Sequence, residues 1–176
     1  MDSHLERLRQ EITAAIAGFE PRQLSWHEPG KWCAAEILEH LHLSYTGTIK
    51  GCKRLLERGK PLASQRSFKN RAQSFIVVSL GYMPSGRKAP EGTRPRGIDE
   101  DQQKIVSEIG SSITEMDAIL NQCAARFGAR LPVLDHPLLG PFSIQQWRKF
   151  HLVHGLHHVK QIRNLSRQVQ ANKIAP

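Results

Sequence analysis

The chain has 176 residues, 39% of them hydrophobic and 23% charged, which fits one globular domain over residues 1–176 and excludes a disordered or fibrous chain. A formal net charge of +9 favours anionic partners, although a solvated basic surface accounts for it equally well. Three separated cysteines without a CxxC pair exclude a disulfide scaffold, and no leader or membrane-length apolar run is visible, so the expected compartment is the cytoplasm with no membrane partner.

The first predicted helix covers residues 3–19. Leu5, Leu8, Ile12, Ile16 and Phe19 form its apolar stripe, and Ser3 with Glu6 reads as a capping box. Pro21 ends it. The segment RQLSWHEPGKW is a loop whose Trp26 and Trp32 are expected to pin it to the core.

A second helix runs over 33–58 and stops at Gly59-Lys60-Pro61. One face carries Cys33, Ile37, His40, Ser44, Gly47 and Gly51, so a histidine occupies a core leucine's place. The small residues beyond it either border a pocket or admit a close helix. His42 lies off this stripe and is expected to be more exposed.

Residues 64–82 contain FIVVSL and are read as a short helix, because no alternating strand accompanies them. Residues 83–97, MPSGRKAPEGTRPRG, form a long basic loop. It is either a solvated linker or a lid whose Arg87, Lys88, Arg94 and Arg96 contact an anionic substrate. A third long helix covers 100–127, capped by Asp99 and stopped by Gly128. The proline-rich stretch ARLPVLDHPLLGP reads as a plain link, with His136 given no role. The last helix spans 141–170, with Ser143 and Gln146 as its capping box. Four long helices and no convincing sheet make an all-α four-helix bundle with a short extra segment.

The last helix holds four of the nine histidines within eight residues: His151, His154, His157 and His158. Positions 151, 154 and 158 share the core face with Ile144, Trp147, Ile162, Leu165 and Val169. An unpartnered polar group on such a face costs roughly 1–3 kcal/mol, and a metal ion is one way to satisfy it. His154 and His158, one turn apart, can converge on one ion, and His40 is the candidate third ligand from a facing helix. Three protein ligands leave a coordination position open, as catalytic sites do. His151 is an alternative ligand or a neighbour of the site, and His157 points elsewhere and can orient by hydrogen bonding. The bland alternative is a set of satisfied core histidines. This is not HExxH, since Gly155 stands at the glutamate position. That glycine in mid-helix suggests a close helix approach.

The motif residues resemble the DinB-like superfamily. WCAAEILEHL, from Trp32 to Leu41, is similar to its W-S-x-x-E-[IVL]-L-x-H-L signature, with Cys33 in place of serine. HGLHHVKQ, from His154 to Gln161, resembles its H-x-x-H-H-x-x-Q pattern, and HPLLGPFSIQQW resembles one branch of the superfamily. The resemblance implies a DinB-like four-helix bundle holding a divalent metal, zinc or nickel, on His40, His154 and His158. Gln161 would be an orienting group or alternative ligand beside them. It also implies relatedness to S-transferases that use low-molecular-weight thiols such as bacillithiol or mycothiol, and a homodimer.

Three functions compete at this point. The first is a metal-dependent thiol S-transferase acting on a small, anionic molecule, with a metal-dependent hydrolase as its variant. The second is a non-catalytic metal- or ligand-binding stress protein. Nucleic-acid binding ranks last, because aromatic residues are only 6% and no recognition motif is present.

Overall fold

A computed structural model describes residues 1–65, 67–83, 88–97 and 102–171, apart from the side chains of residues 21, 102, 103 and 105. Four long helices dominate: α1 (Ser3–Ile16), α2 (Ala34–Arg58), α4 (Gln102–Phe127) and α5 (Ile144–Ala171). A short α3 (Phe68–Ser74) continues into a π-helical turn, Phe75–Ser79. Within the bundle α2 packs chiefly on α4, and α1 on α5. Leu8, Leu41, Tyr45, Ile113, Leu120 and Ile162 lie in the shared core and are fully buried. The all-α bundle expected from periodicity is therefore the fold.

Local chemistry sets the helix ends. Cys33 caps α2: its sulfur accepts from Glu36 N–H at 3.4 Å, and the Glu36 carboxylate accepts from Cys33 N–H at 2.8 Å. Gly59 closes the helix with φ +67°, a left-handed geometry that favours glycine. Ser143 and Gln146 form the expected reciprocal cap of α5, at 3.3 and 3.0 Å. At α1 the cap is Asp2, not Ser3. The Asp2 carboxylate accepts from His4 N–H at 2.9 Å, and the helix ends at Ile16, three residues short of the apolar stripe. Asp99, the expected cap of α4, lies outside the described residues.

The proline-rich link is not plain coil. It folds as an antiparallel hairpin of β1 (Pro132–His136) and β2 (Gly140–Ser143), in which Leu134 pairs with Phe142 and His136 with Gly140. A bulge between Pro132 and Leu134 turns Val133 into the core, where it is fully buried. The prolines do not break the ladder because they fall at the start of β1, in the turn and near the start of β2.

Two glycines mark close approaches. A Cβ on Gly51 would stand 2.7 Å from Leu134 Cδ2, so the hairpin seats directly on α2. A Cβ on Gly155 would overlap Leu8, so α1 crosses α5 at the glycine that interrupts the histidine run.

Candidate metal centre

The site is assembled from α2, α5 and the loop at residues 88–97. His40 comes from the second turn of α2, and His154 and His158 from successive turns of α5. All three are at most 9% exposed. Their ligating nitrogens lie within 4.8 Å of one another. His154 Nε2 is central, 3.0 Å from His40 Nε2 and 3.1 Å from His158 Nε2.

Neighbouring groups fix where the protons are. His40 Nδ1 lies 2.7 Å from the Thr93 carbonyl oxygen, which can only accept, so Nδ1 carries the hydrogen and Nε2 is a bare lone pair. Gln161 does the same for His158: its Oε1 accepts from Nδ1 at 2.8 Å, while its amide donates to His157 Nε2 at 3.2 Å. Two bare Nε2 atoms therefore face the third. A single proton on His154 Nε2 cannot serve both, and His154 Nδ1, which is buried, has no partner among the described residues.

Burial also disfavours protonation. It holds the His40 pKa below its ordinary value, and it drives that of His154 well below, helped by the neighbouring His158 and His40. Burial and His40 push His158 down to about 3. Three neutral imidazoles with convergent lone pairs fit a divalent cation. A tetrahedral ion with bonds of about 2.0–2.1 Å would hold its nitrogens about 3.3 Å apart, slightly wider than the spacings found.

The cluster lies on the wall of a cavity of about 910 Å³. Ile37, His40, Ser44, Gly47, Thr48 and Gly51 border it from α2, so the small-residue stripe makes space rather than only a helix contact. Trp32 packs on His40 with ring centres 5.2 Å apart, and Phe150 stacks on His154 at 5.3 Å and 17°.

Other histidines fall outside the cluster. His151 is 1% exposed, shares a 2.9 Å hydrogen bond with Thr48 and stacks on Trp147, so it packs beside the site. His157 meets the cluster through Gln161 and by an edge-on ring contact with His158, with centres 5.2 Å apart. His42 is half-buried, more exposed than His40 as expected, with Nδ1 2.9 Å from Ser112 Oγ. The hydroxyl of Ser112 donates to the Glu108 carbonyl at 3.0 Å, so His42 is the donor in that pair.

Of the basic loop residues, Lys88 borders the cavity. Arg94 instead donates to the Ala89 carbonyl at 2.9 Å, and the backbone N–H of Arg96 is tied to Glu39 at 3.1 Å. Neither side chain lines the cavity. Arg87 lies outside the described residues. The loop's direct contribution is the Thr93 carbonyl, which no side-chain pattern announces. His136 of β1 also borders the cavity. The prolines and Gly140 marked the turn of the hairpin, but no alternation of apolar residues marked its strands.

A family model described as "Protein of unknown function (DUF1569)" matches residues 4–165. The chain belongs to the DUF1569 family. The matched span includes all three clustered histidines, Gln161 and the hairpin. Among curated proteins, none matches this DUF1569 chain in sequence. Among solved structures it is similar to YfiT from Bacillus subtilis, described as a probable metal-dependent hydrolase with an unusual four-helix bundle topology. The two share 16% identity and a TM-score of 0.60, over 95% of this chain and 84% of that one. That likeness supports the four-helix-bundle fold. No described helix is long and apolar enough to cross a membrane.

Proposed function

We propose that the chain is a divalent-metal-dependent enzyme acting on a small, anionic molecule, with His40, His154 and His158 holding zinc or nickel. One observation carries the reading: three buried Nε2 atoms, two with their protons placed elsewhere by Thr93 and Gln161, converge on the wall of a large cavity. When bound, the ion supplies a Lewis acid that lowers the pKa of a thiol or a water beside it.

The chain's own residues do the rest. Thr93 and Gln161 lock the orientation of His40 and His158, as partners of metal-bound imidazoles do. Phe150 covers one face of His154 and keeps water from it. Three protein ligands leave the cavity side free for a substrate atom.

The finer reading is transfer of a low-molecular-weight thiol. Its sulfur forms a bond to an electrophilic carbon, the leaving group departs with the bonding electrons, and the thiol proton goes to solvent. Hydrolysis is the second reading, favoured by the description of YfiT.

The first test is metal content in protein purified without a nickel column. Wild type is expected to carry one ion per chain, and His40→Ala and His158→Ala to lose it. Full occupancy in both variants would remove the three-histidine site. The second test is conjugation of bacillithiol and mycothiol to an alkyl halide, with and without chelator. Turnover indifferent to chelation would count against a metal-dependent reaction.

A further inference from the structure

The hairpin turn carries a polar device that the three-histidine site does not use. His136 Nδ1 lies 3.1 Å from Leu138 N and 3.2 Å from Leu139 N. Backbone N–H groups only donate, so Nδ1 is bare and the ring proton sits on Nε2. Nε2 has no acceptor among the described residues, while the ring borders the cavity. The turn thus presents a neutral N–H donor whose tautomer is fixed by the backbone.

Its surroundings indicate what it would meet. Phe150 touches His136 with ring centres 4.4 Å apart and stacks on His154 at 5.3 Å, so the two histidines flank one aromatic ring. The adjoining wall is apolar, formed by Trp147, Phe150 and Leu139. The charged residues bordering the cavity are Lys31, Arg54 and Lys88 against one carboxylate, Asp135, which already accepts from Ser64 N–H at 3.0 Å. A cavity of about 910 Å³ accommodates a molecule of drug-like size.

We propose that the cavity takes a small organic acid with an apolar body, and that His136 Nε2–H anchors an acceptor oxygen of that ligand across Phe150 from the three-histidine cluster. The proposal rests on the cavity being a substrate site and adds the class of molecule and a residue that holds it. An apolar body fills the aromatic wall, Lys88 and Arg54 select negative charge while Lys31 is paired with Glu28, and the fixed donor sets the orientation.

His136→Asn is the informative variant. Asparagine Oδ1 can still accept the two turn N–H groups, as in an Asx turn, but the Nε2–H donor is gone. The probe is 1-naphthylacetate, titrated calorimetrically into wild type and variant, each in metal-loaded and chelator-stripped form. Binding to the variant is expected to be roughly tenfold weaker in both forms. 1-Naphthylmethylamine, the same body with a positive charge, is expected to bind less well than the acid. Long-range proton–nitrogen spectra of the wild type are expected to show the Nε2–H tautomer of His136, which keeps the proposal testable should the variant fold poorly.

Equal affinity in wild type and variant would overturn the proposal. So would an absence of saturable acid binding, tighter binding of the amine, or the Nδ1–H tautomer. Metal content of the same samples separates the two readings. A chain that takes up no metal on loading yet still discriminates at residue 136 removes the metal centre and keeps the anchor. A metal-loaded chain that does not discriminate does the reverse.

Discussion

Replacing Gly155 with alanine sets two opposed effects of similar size against each other. At an open position in the middle of a helix the change would stabilise by roughly 1 kcal/mol, because glycine has the greater backbone freedom to lose. In this fold the new Cβ overlaps Leu8 Cδ1 and stands 3.5 Å from the Tyr45 hydroxyl. Leu8 and Tyr45 are both 0% exposed, so neither can swing aside into solvent. Overpacking of a filled core costs about 1–3 kcal/mol. The expected net result is a destabilisation of up to about 2 kcal/mol, read from urea unfolding of chelator-stripped protein at an unchanged denaturant slope. In a Leu8→Ala background the obstruction is gone, and the same substitution should stabilise. The sign change between backgrounds is the signature of the contact. A Gly155→Ala variant that gains the same stability in both backgrounds would refute the close crossing of α1 over α5.

Two further expectations concern the histidines. Burial pushes the pKa of His151 down to about 3 and that of His136 to about 4, so the unfolded chain takes up protons first as pH falls. Stability of metal-stripped protein should be full above about pH 6.5 and decline by several kcal/mol toward pH 3–4; urea midpoints that stay flat from pH 7 to 4 would contradict the burial of these rings. Gln161→Leu removes the acceptor on His158 Nδ1, and metal affinity should fall by about 10–100-fold, measured by competition with a chromogenic chelator. An unchanged affinity would mean that Gln161 does not orient His158.

The four long helices could be read from periodicity because each buries a regular stripe. His40 was conspicuous for the same reason: it interrupts a run of core positions on α2, and a neutral imidazole there needs a partner. His154 and His158 followed from their one-turn spacing on the core face of the last helix. Other parts of the site depend on contacts that leave no periodic trace. The acceptor for His40 is a backbone carbonyl at Thr93, 53 residues along the chain, and any residue type could supply it. The hairpin was hidden because prolines at Pro132, Pro137 and Pro141 argue against strands, and only their positions in the ladder make them harmless. With the hairpin went His136, whose role depends on two turn N–H groups. Asp2 displaced Ser3 as the cap of α1 because the two stand side by side and both residue types are good caps.

The hydrogen bond from His40 to Thr93 makes the 88–97 loop and the ion partners in one equilibrium. An ion that fixes the His40 ring also fixes the proton on Nδ1, and so favours the loop conformation that places the Thr93 carbonyl against it. Reciprocity then requires that a molecule which holds this loop against α2, for instance through Lys88, raises the chain's affinity for the ion by the same factor by which the ion raises the affinity for that molecule. Substrate and cation would then each report on the other's presence through one backbone oxygen, in addition to any direct bond between them.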